Sequence, residues 1–155
     1  VTKRLCAELE RTWHEQIPIS KAMGVTVVDF ANDQLVVRAD LAPNINVHGT
    51  AFAGSLYAIS SLCGWGMTWL QLKMRGIDAS IVIADGKIHY ERPVQEAIVA
   101  TCAFSLRDQA DAFARLRDEG KARLLLECGI PAAGAPAATF SGVYAMRRVR
   151  GTSAS

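Results

Sequence analysis

At 155 residues the chain has the length of one ordinary domain, and at that size roughly two-thirds of the unfolded surface can be buried without disulfides or metals. Half of the residues are hydrophobic, 21% are charged and the formal net charge is only +2, which leaves no electrostatic case for nucleic acid or a membrane surface. Cys6, Cys63, Cys102 and Cys128 lie far apart in apolar contexts, without the spacing of a metal or redox motif, and read as core thiols of a reducing cytoplasm.

The first segment, Thr2 to Gln16, sets Leu5, Leu9 and Trp13 four residues apart with charges between them, the pattern of an amphipathic helix ended by Pro18. Its charges leave no apolar run of the kind a signal peptide has. Two short apolar-rich runs follow, Val25 to Phe30 and Gln34 to Leu41. Ala31-Asn32-Asp33 between them has the composition of a hairpin turn.

From Ala51 to Leu72 there are 22 residues without a charge, long enough to span a bilayer. Gly54, Ser55, Ser60, Ser61, Gly64, Gly66, Thr68 and Gln71 dilute that stretch, however, and strand-like segments with polar faces come after it. The better reading is a helix buried all round within the fold. Trp65 and Trp69, four apart on it, read as core.

Gly76 breaks the pattern and a strand begins near Ala79, where Val82, Ala84, Gly86, Ile88 and Tyr90 alternate with Ile81, Ile83, Asp85, Lys87, His89 and Glu91, so that one face turns from apolar to polar as at the rim of a cleft. Arg92-Pro93 makes a corner, and Ala97 to Leu106 returns as a strand. A short helix is expected over Asp108 to Glu119 with Asp108 as its N-cap, stopped by Gly120. Lys121 to Ile130 and Ala138 to Val149 close the chain as strands, joined through Pro131 to Pro136. Six strands and one deeply buried helix predict an α+β fold in which a curved antiparallel sheet wraps the helix. The expected extent is one domain over residues 1–150, with a disordered tail at 151–155. Arg147, Arg148 and Arg150 gather at the end, either as a solvated strand end or as a docking patch for an acidic partner.

The segment that can do chemistry is the loop before the long helix, Asn44-Ile45-Asn46-Val47-His48-Gly49-Thr50. Gly49 and Gly54 permit close backbone approach, and the unsatisfied N–H groups of a helix start form a cradle for negative charge. A sheet wrapped around a central helix is the hotdog arrangement, and Asn46-Val47-His48-Gly49-Thr50-Ala51-Phe52-Ala53-Gly54 resembles the hotdog thioesterase motif Asn-x-x-Gly-x-x-His-Gly-Gly. Phe52 stands in place of its His and Ala53 in place of a Gly. The acidic residue expected nine places after Phe52 falls on Ser61, and no carboxylate lies between Thr50 and Lys73.

The chain is more similar to the hotdog branch of bacterial malonyl-acyl-carrier-protein decarboxylases, a group earlier described as thioesterases. The matching residues are Thr12-Trp13-His14, Ile17-Pro18, Leu41 to Asn46, Gly49-Thr50, Phe52 to Ser55, Gly64-Trp65-Gly66 and Ala84-Asp85. That resemblance implies a stand-alone enzyme that decarboxylates malonyl-acyl-carrier protein to the acetyl thioester for initiation of fatty-acid synthesis. It needs no metal or bound cofactor, since the substrate brings the phosphopantetheine of acyl carrier protein or coenzyme A. It also implies a cytoplasmic homodimer joined at its sheet edges.

The resemblance places the catalytic amide at Asn46, and a two-donor neutral side chain suits an oxyanion. Asn44 is its rival, with a structural use in capping the turn. Backbone N–H groups near Ala53 to Ser55 would be the second donor. Val47, His48, Gly49, Thr50, Phe52, Ala53, Gly54 and Ser55 complete the expected substrate contacts. Thr50 is read as bonding within the loop or capping the helix, with capping preferred. Lys87 and His89 could reach the phosphopantetheine arm from a neighbouring subunit, or simply face solvent. An acyl-thioester hydrolase, or a binding module that only grips the thioester, remains open.

Overall fold

The computed structural model describes residues 2–149; Arg150 and the expected tail 151–155 lie outside them. Helix α1 (Thr2–Gln16) is followed at once by α2 (Pro18–Ala22), so Pro18 opens a second helix as well as ending the first. Its ring pre-sets φ for a first helical position and lacks only an N–H that would go unpaired there. Strands β1 (Thr26–Ala31) and β2 (Gln34–Ala39) form the expected hairpin, with Asn32 and Asp33 both at positive φ. A single 3-10 turn, Ala42–Asn44, and a loop lead into α3 (Ala53–Met74). Then come β3 (Ala79–Tyr90), β4 (Ile98–Ala103), α4 (Leu106–Glu119), β5 (Lys121–Ala132) and β6 (Ala135–Arg148).

The six strands make one antiparallel sheet in the order β1-β2-β4-β5-β6-β3, and α3 touches β2, β3, β4, β5 and β6. Period-two faces supply the core: Leu35, Val37 and Ala39; Ile98, Ala100 and Cys102; Leu124, Leu126, Cys128 and Ile130; Phe140 and Tyr144. They meet Leu56, Ile59, Cys63, Met67 and Leu70 of α3, spaced by three and four. Burying an aliphatic side chain of this size contributes roughly 1.5–3 kcal/mol, whereas an unpaired charge there would be strongly unfavourable, which is why α3 carries none until Lys73. Among the described residues no helix is long and apolar enough to cross a membrane.

Several expectations need correction. Helix α3 is not covered all round: Tyr57, Ser61, Trp65 and Trp69, each four residues from the next, remain half-buried along one stripe. Trp65 Nε1 donates to Ile81 O (3.2 Å) and Lys73 Nζ sits 4.9 Å from the Trp69 ring centroid, so these tryptophans lie at the margin of the core. In β3 a bulge between Ile83 and Asp85 changes the alternation. Ala79 and Ile81 turn inward before it and Gly86 and Ile88 after it, leaving Val82 61% exposed. Helix α4 begins at Leu106 after Ser105, two residues before Asp108, because Phe104 is already anchored against Phe113 (ring centroids 5.9 Å apart) as the chain leaves β4. The β5–β6 connection is a two-residue turn, Ala133-Gly134, both at positive φ, rather than a loop over 131–136.

The two sheet edges differ. Glu10 Oε2 accepts from Val27 N (2.8 Å) and His14 Nε2 donates to Val25 O (2.7 Å), so α1 side chains occupy the outer edge of β1. Strand β3 has β6 on one side and no strand on the other.

Candidate active site at the start of the long helix

The loop between Asn44 and α3 is a small closed unit. Ile45 and Ala51 form a bridge, Asn46 N donates to Thr50 O (2.8 Å) and Gly49 N to Asn46 O (3.1 Å). Ala51 N donates to Val94 O (2.8 Å) and Phe52 N to Asn44 O (2.7 Å), which ties both ends of the loop to the body of the protein. Local sequence favours this closure, since Asn side chains bond readily to nearby backbone and Gly49 takes a left-handed φ of 76°.

Asn44 and Asn46 have different surroundings. Asn44 is 2% exposed, and its Nδ2 donates to Met23 O and Asp40 O, both at 2.8 Å. Both of its N–H groups are thus committed to holding the turn. Asn46 is half-buried at the surface of the loop. Its Oδ1 accepts from His48 N (2.9 Å) and Thr50 N (3.1 Å), while its Nδ2 donates to Thr50 Oγ1 (2.9 Å) and, at a longer 3.3 Å, to Ala51 O. The last contact is the weakest of the four and leaves that N–H the easiest to redirect to another oxygen.

Thr50 serves the loop and not the helix: α3 has Phe52 at its N-cap and no side-chain cap hydrogen bond. Ser55 N and Leu56 N both donate to Phe52 O (3.0 and 3.1 Å). Among the described residues, Ala53 N and Gly54 N have no backbone acceptor, so the cradle consists of these two amides and Ser55 N is already used. They stand at the positive end of a 22-residue helix. Gly54 is required by the Phe52 ring, which lies so close that a methyl group at position 54 would overlap it. Phe52 itself is 54% exposed and Val47 95% exposed, which puts the loop and the helix start at the surface of the chain.

Two tyrosines not singled out from the sequence for this loop complete the surroundings. Tyr90 Oη donates to Ala53 O (2.9 Å), fastening the end of β3 to the first residue of α3. Tyr57, one turn along the helix, packs its ring edge-on to Phe140 (5.1 Å between centroids) and rests its hydroxyl against the backbone of Gly86, where a side chain would collide with it. Burial raises the Tyr90 hydroxyl above the ordinary tyrosine value, with the neighbouring Tyr57 adding to the effect. The signal for Tyr90 in the sequence is its place at the end of β3, where the strand reaches the rim of the core.

The other expected contacts divide into two groups. Val47, His48 and Gly49 are exposed on the loop tip, Ala53 and Gly54 are exposed at the helix start, and Ser55 is buried behind them. Lys87 and His89 lie exposed on β3, alternating with the inward-facing Gly86 and Ile88, on the outer face of the sheet, and no hydrogen bond joins them to the loop of the same chain among the described residues.

The loop and helix α3 themselves bring no acid to the site, since the chain has no carboxylate between Thr50 and Lys73. Cys63, Cys102 and Cys128 are buried in the core and their thiols are pushed well up, Cys63 chiefly by burial and Cys102 chiefly by its hydrogen bond with Cys128. Such thiols stay protonated and are poor nucleophiles. What the arrangement offers is a set of neutral donors: two helix-start amides and one side-chain amide. Neutral donors of this kind suit an oxygen on which negative charge develops.

Comparison with known proteins agrees with this architecture. A protein from Shewanella oneidensis described as a "putative thioesterase" is 38% identical, with 96% of this chain and 99% of that chain covered and a TM-score of 0.85. A protein of unknown function from Chlorobaculum tepidum is 30% identical over 96% and 98% of the two chains, with a TM-score of 0.93. A "probable thioesterase" from Pseudomonas aeruginosa, 19% identical over 92% and 96%, has the same fold at a TM-score of 0.78. The fold is the hotdog fold, and since residues 6–148 match the family model described as "Putative thioesterase (yiiD_Cterm)", the chain belongs to that family.

Proposed function

We propose that this protein is an enzyme that decarboxylates malonyl thioesters, releasing carbon dioxide and leaving an acetyl thioester on acyl carrier protein. The observation that carries the reading is the uncharged helix start: amides at Ala53 and Gly54 without a backbone acceptor among the described residues, Asn46 in the loop that leads to them, and no carboxylate between Thr50 and Lys73. In the reaction the bond between the malonyl methylene carbon and its carboxylate breaks, and the electron pair moves into the thioester carbonyl to make an enolate. The developing oxyanion would be held by Asn46 Nδ2, turned from its long contact with Ala51 O, and by the helix-start amides. One such donor is worth about 3 kcal/mol of barrier, on the order of a hundredfold in rate. The enolate carbon then takes a proton from water. A carboxylate on the helix would repel the malonyl group, so its absence favours this substrate. The exposed Phe52 ring offers an apolar surface beside the cradle on which the departing carboxylate is less well solvated.

The second reading is acyl-thioester hydrolysis, favoured by the description of the family. It asks for a group that activates water, and the loop supplies only His48. Purified protein given malonyl and acetyl thioesters, with products resolved by mass, separates the readings. Acetyl thioester from malonyl thioester supports decarboxylation, free thiol supports hydrolysis, and unchanged substrate leaves a binding module.

A homodimer joined through β3 fits the same reading. The β1 edge is occupied by Glu10 and His14, whereas β3 presents an open edge beside the half-buried stripe Tyr57, Ser61, Trp65 and Trp69. Antiparallel pairing of two β3 edges would continue the sheet and cover that stripe.

A further inference from the structure

On the outer face of the sheet, away from α3, the pairing of β5, β6 and β3 places side chains in rows. Lys121, Arg147 and Ser80 lie across one row, Arg123, Ala145 and Val82 across the next, and Leu125, Val143 and Asp85 beyond them, so the basic end of the face is its first two rows. Arg115 and Glu119 of α4 line the same groove, whose volume is about 580 Å³. Arg115, Lys121, Arg123 and Arg147 therefore face a single carboxylate there, and Asp118 and Glu119 line the adjoining hollow. Among the described residues the ion pairs are Arg38–Asp40 and Lys73–Glu8, and neither involves one of these four cations. Val82, 61% exposed, lines the groove, and Leu125, 62% exposed, follows Arg123 on the same face of β5. Four cations with exposed aliphatic side chains beside them complement an acidic, amphipathic helix.

We propose that this face docks the acidic helical surface of an acyl carrier protein, a proposal that rests on the thioester reading above. Its position suits that purpose. Strand β3 begins on the basic groove at Ser80 and Val82 and ends at Tyr90, beside the helix-start amides. In the antiparallel β3 dimer the Ser80 end of one copy lies next to the Tyr90 end of the other. The groove of one protomer then continues toward the exposed Lys87 and His89 of its partner copy and on to that copy's site. A carrier held on one protomer would deliver its phosphopantetheine arm to the other, and α4, inserted between β4 and β5, supplies one wall of the dock.

The test is titration calorimetry of holo acyl carrier protein into wild-type protein and into Arg123→Glu, Arg147→Glu and the double variant. Both side chains are exposed, so the variants should keep the wild-type melting temperature and sedimentation. Each single variant is expected to weaken binding at least tenfold and the double variant to abolish it. In parallel, KM for malonyl-acyl-carrier protein should rise at least tenfold, while kcat/KM for malonyl-pantetheine, which lacks the protein, stays within twofold. Failure of the wild type to bind carrier, or wild-type affinity in the double variant, overturns the proposal. So does a change in sedimentation without a change in carrier binding, which would make the face a contact between copies. If the wild type binds carrier through these arginines yet converts neither malonyl substrate, the docking surface stands and the decarboxylase reading falls.

Discussion

Replacing the Asn46 side chain by that of aspartate separates its loop-building use from its proposed use on substrate. The Asn46→Asp variant keeps an oxygen where Oδ1 accepts from His48 N and Thr50 N, so the two bonds that close the loop survive. It loses both Nδ2 donors. The Thr50 hydroxyl can reverse and donate to the new oxygen, leaving the 3.3 Å contact to Ala51 O as the uncompensated loss. The net cost is about 1 kcal/mol in stability, a fall of roughly 2–4 °C in melting temperature for a chain of this size. If Asn46 also holds the enolate oxygen, about 3 kcal/mol of barrier is lost, a fall on the order of a hundredfold in turnover, and repulsion between the new carboxylate and the malonyl group adds to it. Asn46→Ala would remove all four bonds and confuse a collapsed loop with a missing donor. The assay is steady-state release of carbon dioxide from malonyl thioester, with a thermal melt on the same sample. Turnover of the Asn46→Asp variant within threefold of the wild type would refute the assignment.

Three further outcomes are expected. Tyr90→Phe removes the bond to Ala53 O, which should leave the melting temperature within about 2 °C yet lower kcat several-fold by loosening the helix start; an unchanged kcat counts against Tyr90 as a positioning residue. Gly86→Ala should destabilise by about 1–3 kcal/mol because the new methyl displaces the Tyr57 hydroxyl, and a urea midpoint equal to wild type would contradict that packing. The alkaline limb follows from the buried thiols and Tyr144, all raised by their surroundings, so the folded state holds protons that the unfolded chain gives up. Stability is full below the unfolded thiol range near pH 8.5 and is lost as pH rises above it, by about 1.4 kcal/mol per unit for each ionising group. A urea midpoint constant between about pH 8 and about pH 10.5 would contradict this.

The architecture was legible because its signals are local and repeated. The charge-free run to Leu72 could only be buried, and period-two patterns in the last strands gave their inward faces. Features set by single contacts escaped. The bulge in β3 reverses which residues face inward, so Val82 turns out and Ile81 in, and nothing in that alternating run announces the change. Phe104 packing on Phe113, a contact between residues nine apart, accompanies the start of α4 at Leu106, where Ser105, and not Asp108, stands at the N-cap without a side-chain cap bond. At the site, the two asparagines are alike in sequence; only the positions of Met23 O and Asp40 O show that both N–H groups of the buried Asn44 are taken. The Thr50 hydroxyl, read as a helix cap, is instead claimed by Asn46 because the helix starts two residues later than its composition suggests.

The most direct test of the central claim follows the fate of a carbon-13 label in the free carboxylate of a malonyl thioester incubated with purified protein. Decarboxylation at the uncharged helix start predicts that the label leaves as carbon dioxide and that unlabelled acetyl thioester accumulates in equal amount. Label recovered in free malonate, with the thiol released, would contradict it and make the protein a hydrolase.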